Sequence, residues 1–418
     1  MGCHVIVGDA SWSEVRWAEN GEVRLAFDSL TEGTEGEPLL LVTGLGVNRL
    51  WVPDGLCRML AAEGFAVARY DQRDGGESTH LPPTATGGPV SALFARRGEA
   101  YTAEDMADDA VAVMTALGWR SAHLLGVSLG GAVAQRVALR HPDRVRTLTS
   151  MAAVPGDAMG LRVARYIRMR TLAKFTRLRF PDTPEGTIAA SVAVSRLITS
   201  PNRPFDESAA REAAEGNADF GVRGRKAQSR QIGAQWHGPS INAIARPTLV
   251  LHGADDPLIK PSAARDIASR IRDARLVLLP RVGHEMPEEA WHSITTEIRA
   301  LADTARRLPP GQPARTPRDR DRRGPRVTPR PLSLIPPTRR PPVRSQPNGR
   351  RHSRTGRQHR PAARAGACHF QGAFPRALPG ARGGVGAMSS ASPRTSPRTA
   401  PAHCSRAPVM APARIPRP

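Results

Sequence analysis

Three residues of this chain, Ser128, Asp256 and His284, have the types and the chain order needed for nucleophilic acyl transfer. Ser128 lies in Gly126-Val127-Ser128-Leu129-Gly130, a G-x-S-x-G pattern between a β-rich run and a helical one. A turn from strand to helix this tight needs small flanking residues, and it lifts the hydroxyl above a sheet edge. The helix behind it offers unpaired N–H groups and the positive end of its dipole. A serine hydroxyl is a weak nucleophile until a base takes its proton. His284, in Val282-Gly283-His284-Glu285, is the candidate base. Asp256, in His252-Gly253-Ala254-Asp255-Asp256-Pro257, is the candidate acid that holds the imidazole tautomer and stabilises the imidazolium. Asp255 competes for that role. Asp256 is preferred because it immediately precedes Pro257 in the turn.

The tetrahedral intermediate of such a reaction needs two N–H donors for its oxyanion. Leu129, directly after the nucleophile, is the first. The second is expected from the loop after residues 39–42, with Leu45 as the candidate, because Gly44 and Gly46 permit close backbone approach. Gly44, Met159, Trp236 and Phe220 are candidates for contact with substrate; the large side chains among them are equally suited to packing between helices. His237 and His292 have no assignable partner and are read as structural.

Positioning these groups requires a particular order of elements. Short apolar, β-rich runs at 23–27, 39–42, 65–70, 122–127, 145–151, 248–251 and 274–279 read as strands. Helical spacing appears at 51–63, 103–117, 129–141, 262–270 and 288–301, with Thr102 as an N-cap. Strands alternating with helices imply an α/β fold, a mostly parallel central sheet flanked by helices. Residues 157–245 break the alternation with helical patterning and no strand. They are expected to form a helical lid between a first core part, 1–156, and a second, 246–308. Within them, 161–180 reads as one lid helix bearing Arg162, Arg165, Arg168, Arg170, Lys174, Arg177 and Arg179 on a solvated face.

The formal charge of +22 over 418 residues would suggest a polyanionic partner if it were spread evenly. It is not. Residues 309–418 hold 23 Arg, two Asp and no Lys or Glu, which leaves 37 basic and 36 acidic residues in 1–308. The same segment holds 22 of the 39 Pro and no Trp or Tyr. It is expected to be a disordered tail, and with only Phe370 and Phe374 available to stack on bases it predicts no specific nucleic-acid partner. Cys3, Cys57, Cys368 and Cys404 form neither a disulfide framework nor a metal spacing. No signal-peptide pattern and no run of about 18 apolar residues is found, so the reading is a cytoplasmic protein with no membrane partner.

Residues 20–302 resemble the α/β-hydrolase superfamily, and within it the aclacinomycin methylesterase type, which hydrolyses a methyl ester on a polyketide. The resemblance rests on residues 40–46, Tyr70-Asp71-Gln72-Arg73-Asp74-Gly75-Gly76-Glu77-Ser78, 126–131, 252–257 and Gly283-His284. The chain has Thr43-Gly44 where the superfamily often has His-Gly. It has Arg73-Asp74 where many members have Arg-Gly. The resemblance implies a serine hydrolase with no cofactor and no metal, acting on a small-molecule ester. A Ser at position 128 implies an acyl-enzyme, unlike the Asp nucleophile of haloalkane dehalogenases and epoxide hydrolases. Lactone, amide or C–C hydrolysis, or perhydrolysis, would use the same triad, and a binding protein without turnover is the non-enzymatic alternative.

Overall fold

The computed structural model of the chain describes residues 11–30, 36–82, 100–216 and 225–306. The segment 309–418, read as a disordered tail, lies outside the described residues, as does Phe220.

The alternation in the sequence becomes one sheet. Its strands are β1 (Arg16–Asn20), β2 (Val23–Ser29), β3 (Glu37–Val42), β4 (Phe65–Tyr70), β5 (Ala122–Val127), β6 (Val145–Met151), β7 (Thr248–Gly253) and β8 (Arg275–Leu279). They lie in the order β1-β2-β4-β3-β5-β6-β7-β8. The pairs β1–β2 and β2–β4 are antiparallel, and every pair from β4 to β8 is parallel. Parallel strands bring their C-terminal ends to one edge, which is where an open α/β sheet presents ligand-binding loops.

Side chains on a strand alternate between faces, and β3 shows the consequence. Leu40 and Val42 pack into a cluster with α2 (Ala103–Ala116) and α3 (Leu129–Arg140), through Met106, Ala110, Val113, Val133 and Val137. Leu39 and Leu41 point the other way, onto α1 (Asp54–Ala62) and α10 (Glu288–Arg306), through Leu56, Leu60, Ile294 and Ile298. Both faces are therefore covered, which explains why residues 39–42 of β3 read as a continuous apolar run. Thr102 caps α2 as expected: its hydroxyl accepts the Asp105 N–H, and the Asp105 carboxylate accepts the Thr102 N–H.

Between β6 and β7 the described residues form α4 (Leu161–Ala164), α5 (Met169–Arg177), α6 (Pro184–Ile198), α7 (Glu207–Glu215) and α8 (Arg225–Gly233), followed in sequence after β7 by α9 (Ser262–Arg270). The single helix expected over 161–180 is broken. Tyr166 and Ile167 are buried, and Ile167 forms an isolated β-bridge with Ile259. Extended backbone at that bridge cannot also be helical. Two smaller differences have equally local causes. The helix expected from 51 starts at Asp54, because Pro53 follows a 3₁₀ turn at Arg49–Trp51 and Pro disfavours the α conformation in the residue before it. Strand β1 is not among the expected strands, since its outer face carries the exposed Trp17 and charged residues rather than an apolar run.

A buried ion network joins the loops after β3 and β4. Asp28 on β2 accepts bonds from Arg49 and Arg69, each at 2.9 Å, and Arg49 also reaches Asp71 at 2.6 Å. Asp71 further accepts the backbone N–H groups of Arg49 and Glu77. Removing one partner of such a pair strands a buried charge. Asp71→Ala is therefore expected to lower stability by about 3–5 kcal/mol in equilibrium urea unfolding. A loss below about 1 kcal/mol would mean that Arg49 has no need of its partner.

Candidate active site

Ser128 occupies the turn between β5 and α3 with φ 57° and ψ −119°, a left-handed conformation that a non-glycine residue keeps only when its surroundings force it. The surroundings do so by contact. A Cβ at Gly126 would stand 2.2 Å from the Gly130 carbonyl oxygen, and one at Gly130 would stand 2.1 Å from the Val42 carbonyl oxygen. Both positions therefore need glycine, and the helix can start directly under the strand. The Ser128 N–H donates to the Met151 carbonyl at 2.9 Å, which anchors the turn to β6.

His284 and Asp256 arrive from the loops after β8 and β7. His284 Nε2 lies 3.0 Å from Ser128 Oγ, and His284 Nδ1 lies 2.7 Å from Asp256 Oδ2. With the proton on Nδ1 bonded to the carboxylate, Nε2 presents its lone pair to the hydroxyl. Asp256 is fully buried, and its other oxygen accepts the N–H groups of Leu258 and Ile259 at 2.7 and 2.8 Å. Burial alone would push this carboxyl up, but His284 and the backbone donor at Ile259 outweigh it and hold it below the usual carboxylate range. Burial alone would favour the neutral ring of His284. The Asp256 carboxylate outweighs that and raises the pKa above the ordinary histidine value of 6.5. Asp255, the competing acid, points elsewhere: it accepts from Ser200 Oγ at 2.8 Å and Asn202 Nδ2 at 3.0 Å.

Gly44 comes next to the nucleophile, where an added Cβ would stand 3.4 Å from Ser128 Cβ. Leu45 follows it in the turn after β3, and Leu129 opens α3, where a first-turn N–H has no acceptor within the helix. The remaining two candidates, Met159 and Trp236, have contacts of their own. Met159 Sδ accepts from Arg136 Nη2 at 3.7 Å. Trp236 packs against the apolar cluster under α2 and donates to the Pro239 carbonyl at 3.0 Å.

Sequence reasoning missed how the helical segment grips the loops. The His284 N–H donates to the Ile198 carbonyl at 2.8 Å, and Arg203 pairs with Glu285 at 2.8 Å. Arg168 Nε donates to the Asp256 carbonyl at 2.8 Å, and the Arg168 N–H donates to the Leu258 carbonyl at 2.8 Å. None of these contacts leaves a local spacing in the sequence. Among the described residues no group of three or more His, Cys, Asp or Glu is arranged to hold a metal ion, and no helix is long and apolar enough to cross a membrane.

Residues 37–290 match the family described as alpha/beta hydrolase fold. The chain belongs to the alpha/beta hydrolase family. Among its relatives, rhodomycin D methylesterase DnrP of Streptomyces peucetius is 30% identical over 305 residues, covering 68% of this chain and 97% of that protein. The putative carbamate hydrolase RutD of Variovorax paradoxus is 30% identical over 288 residues, covering 67% and 96%. The solved meta-cleavage product hydrolase of Pseudomonas fluorescens IP01 superposes with a TM-score of 0.51 at 19% identity, covering 69% of this chain and 98% of that one, a likeness of fold alone. Membership of this alpha/beta hydrolase family, with the residue set above, supports a serine hydrolase.

A base must be neutral to accept a proton, and Asp256 raises the pKa of His284. The acid limb of kcat/KM is therefore expected to have its inflection above pH 6.5. An inflection below that value would contradict the pairing. Asp256→Asn is expected to lower kcat about 10⁴-fold. Asp255→Asn should stay within about tenfold of the unaltered chain. Equal losses in the two variants would remove Asp256 from its assigned place.

Proposed function

We propose that the protein is a carboxylic-ester hydrolase working through an acyl-enzyme, with a methyl ester on a polyketide-like metabolite as its substrate. The observation that carries this is the Ser128–His284–Asp256 chain of hydrogen bonds at 3.0 and 2.7 Å, set on a strained strand-to-helix turn. The relation to a rhodomycin D methylesterase supports the choice of ester.

In this reading Ser128 Oγ attacks the ester carbonyl carbon while His284 Nε2 takes its proton. The Leu129 and Leu45 N–H groups hold the oxyanion of the tetrahedral intermediate. His284 then gives the proton to the departing alkoxide, methanol for a methyl ester, and the acyl group stays on Ser128. Water, deprotonated by His284, attacks the acyl-enzyme and releases the acid. Asp256 keeps the ring oriented throughout and balances the imidazolium. The helices of 157–245 serve as the lid over this site.

The direct test is hydrolysis of a methyl aryl-carboxylate by the full chain and by Ser128→Ala, followed by release of methanol and acid. The variant is expected to lose at least about 10⁴-fold in kcat with its unfolding midpoint unchanged. Turnover that survives in a folded Ser128→Ala would end the proposal.

A further inference from the structure

Gln231 lies on α8, within the last turn of that helix, and is almost fully buried. Its side-chain amide ties three segments together. Oε1 accepts the Gly46 N–H at 3.1 Å, and Nε2 donates to the Arg73 carbonyl at 2.8 Å. One turn earlier, Gln228 packs against the same glycine, where a Cβ on Gly46 would stand 2.8 Å from Gln228 Cγ. Residues three apart on a helix share a face, so one face of α8 is seated on the loop after β3.

The neighbouring residue secures that seat. Arg230 makes a two-pronged pair with Asp74, Nε to Oδ2 at 2.7 Å and Nη2 to Oδ1 at 2.6 Å. The Tyr101 hydroxyl also donates to Asp74 Oδ2, at 2.9 Å, and the Leu81 N–H donates to Oδ1 at 2.9 Å. The Asp74 side chain is fully buried and Arg230 is 7% exposed. Asp74 has φ 65°, a left-handed value that glycine adopts at no cost and aspartate tolerates better than most residues. A glycine would satisfy the turn but leave Arg230 without its carboxylate. The aspartate thus accepts backbone strain and gains the pair that docks α8.

We propose that Gln231, held in place by the Arg230–Asp74 pair, is a positioning residue for the Leu45 oxyanion donor. This rests on the ester-hydrolase reading above. The loop that carries Leu45 is pinned at both ends. Gln72 Nε2 donates to the Thr43 carbonyl at 2.5 Å on one side, and Gln231 accepts from Gly46 on the other. Each peptide unit is planar, so these two bonds fix the units on either side and with them the Cα positions of Gly44 and Leu45, between which the Leu45 N–H stands in the loop beside Ser128. Gln231 is neutral and acts through geometry, so it leaves the protonation of His284 alone. The oxyanion site is complete only when α8 is docked, which makes the helical segment part of the catalytic machinery as well as its cover.

The test measures kcat, KM and the affinity for an aryl trifluoromethyl ketone, which forms a tetrahedral adduct on an activated serine, with p-nitrophenyl butyrate as substrate. In Gln231→Ala, kcat and the ketone affinity are each expected to fall about tenfold, part of the cost of losing an oxyanion donor, while KM stays within about threefold. The acid limb of the pH profile should not move. Arg230→Lys keeps the charge beside Asp74 but gives up one of the two bonds, and kcat is expected to fall about threefold, again without a change in KM. Should Gln231→Ala fail to fold, Arg230→Lys decides the matter alone. A folded variant whose kcat and ketone affinity match the unaltered chain overturns the inference and leaves the ester reading standing. An unaltered chain that neither hydrolyses the ester nor forms the adduct removes both.

Discussion

The turn at Ser128 leaves no room for a side chain on either flank, and the site is built outward from that contact. Gly130 lies so close to the Val42 carbonyl that a methyl group would overlap it, and Gly126 lies equally close to Gly130. The strand, the helix and the neighbouring strand β3 are thus fixed against one another at the point where the hydroxyl emerges. Strain in the Ser128 backbone, of order 1–3 kcal/mol, persists because β5 and α3 are buried along their lengths. The same contact brings the loop after β3 beside the nucleophile, so the hydroxyl and the proposed oxyanion donors share one origin.

The acid and base depend on a second constraint, the disposal of buried charge. Asp256 has no solvent, and the His284 ring and two backbone N–H groups take its place. His252 sits 3.5 Å from the same carboxylate oxygen, and its Nε2 lies 3.1 Å from the Ile259 carbonyl. Burial, its strongest influence, keeps the His252 pKa below the usual histidine value despite that carboxylate. Of the two rings beside Asp256, only His284 has its pKa raised, and only His284 reaches Ser128.

Much of this was legible in the sequence, for physical reasons that also mark where reading stopped. Strands buried on both faces give unbroken apolar runs, and tight turns give glycine, so the sheet and the Ser128 elbow show plainly. The turn at Pro257 also holds the Asp256 carboxylate: Leu258 and Ile259 donate back to it from two and three residues later. By contrast, Asp255 is held by Ser200 and Asn202, and Asp74 by Arg230, and contacts between distant segments carry no spacing. The hairpin of β1 and β2 did leave a signal, Asn20-Gly21, with Gly21 at φ 63°, but the exposed Trp17 face concealed the strand. The break in the helix over 161–180 was hidden because Tyr166 and Ile167 fit an apolar helical face as well as a bridge to the acid loop.

Reaction of the full chain with a fluorophosphonate, followed by peptide mapping, tests the central claim most directly. The account predicts one phosphonylated residue, Ser128, with a rate that rises as His284 loses its proton. Labelling elsewhere, or a folded chain whose Ser128 does not react at any pH, would contradict it.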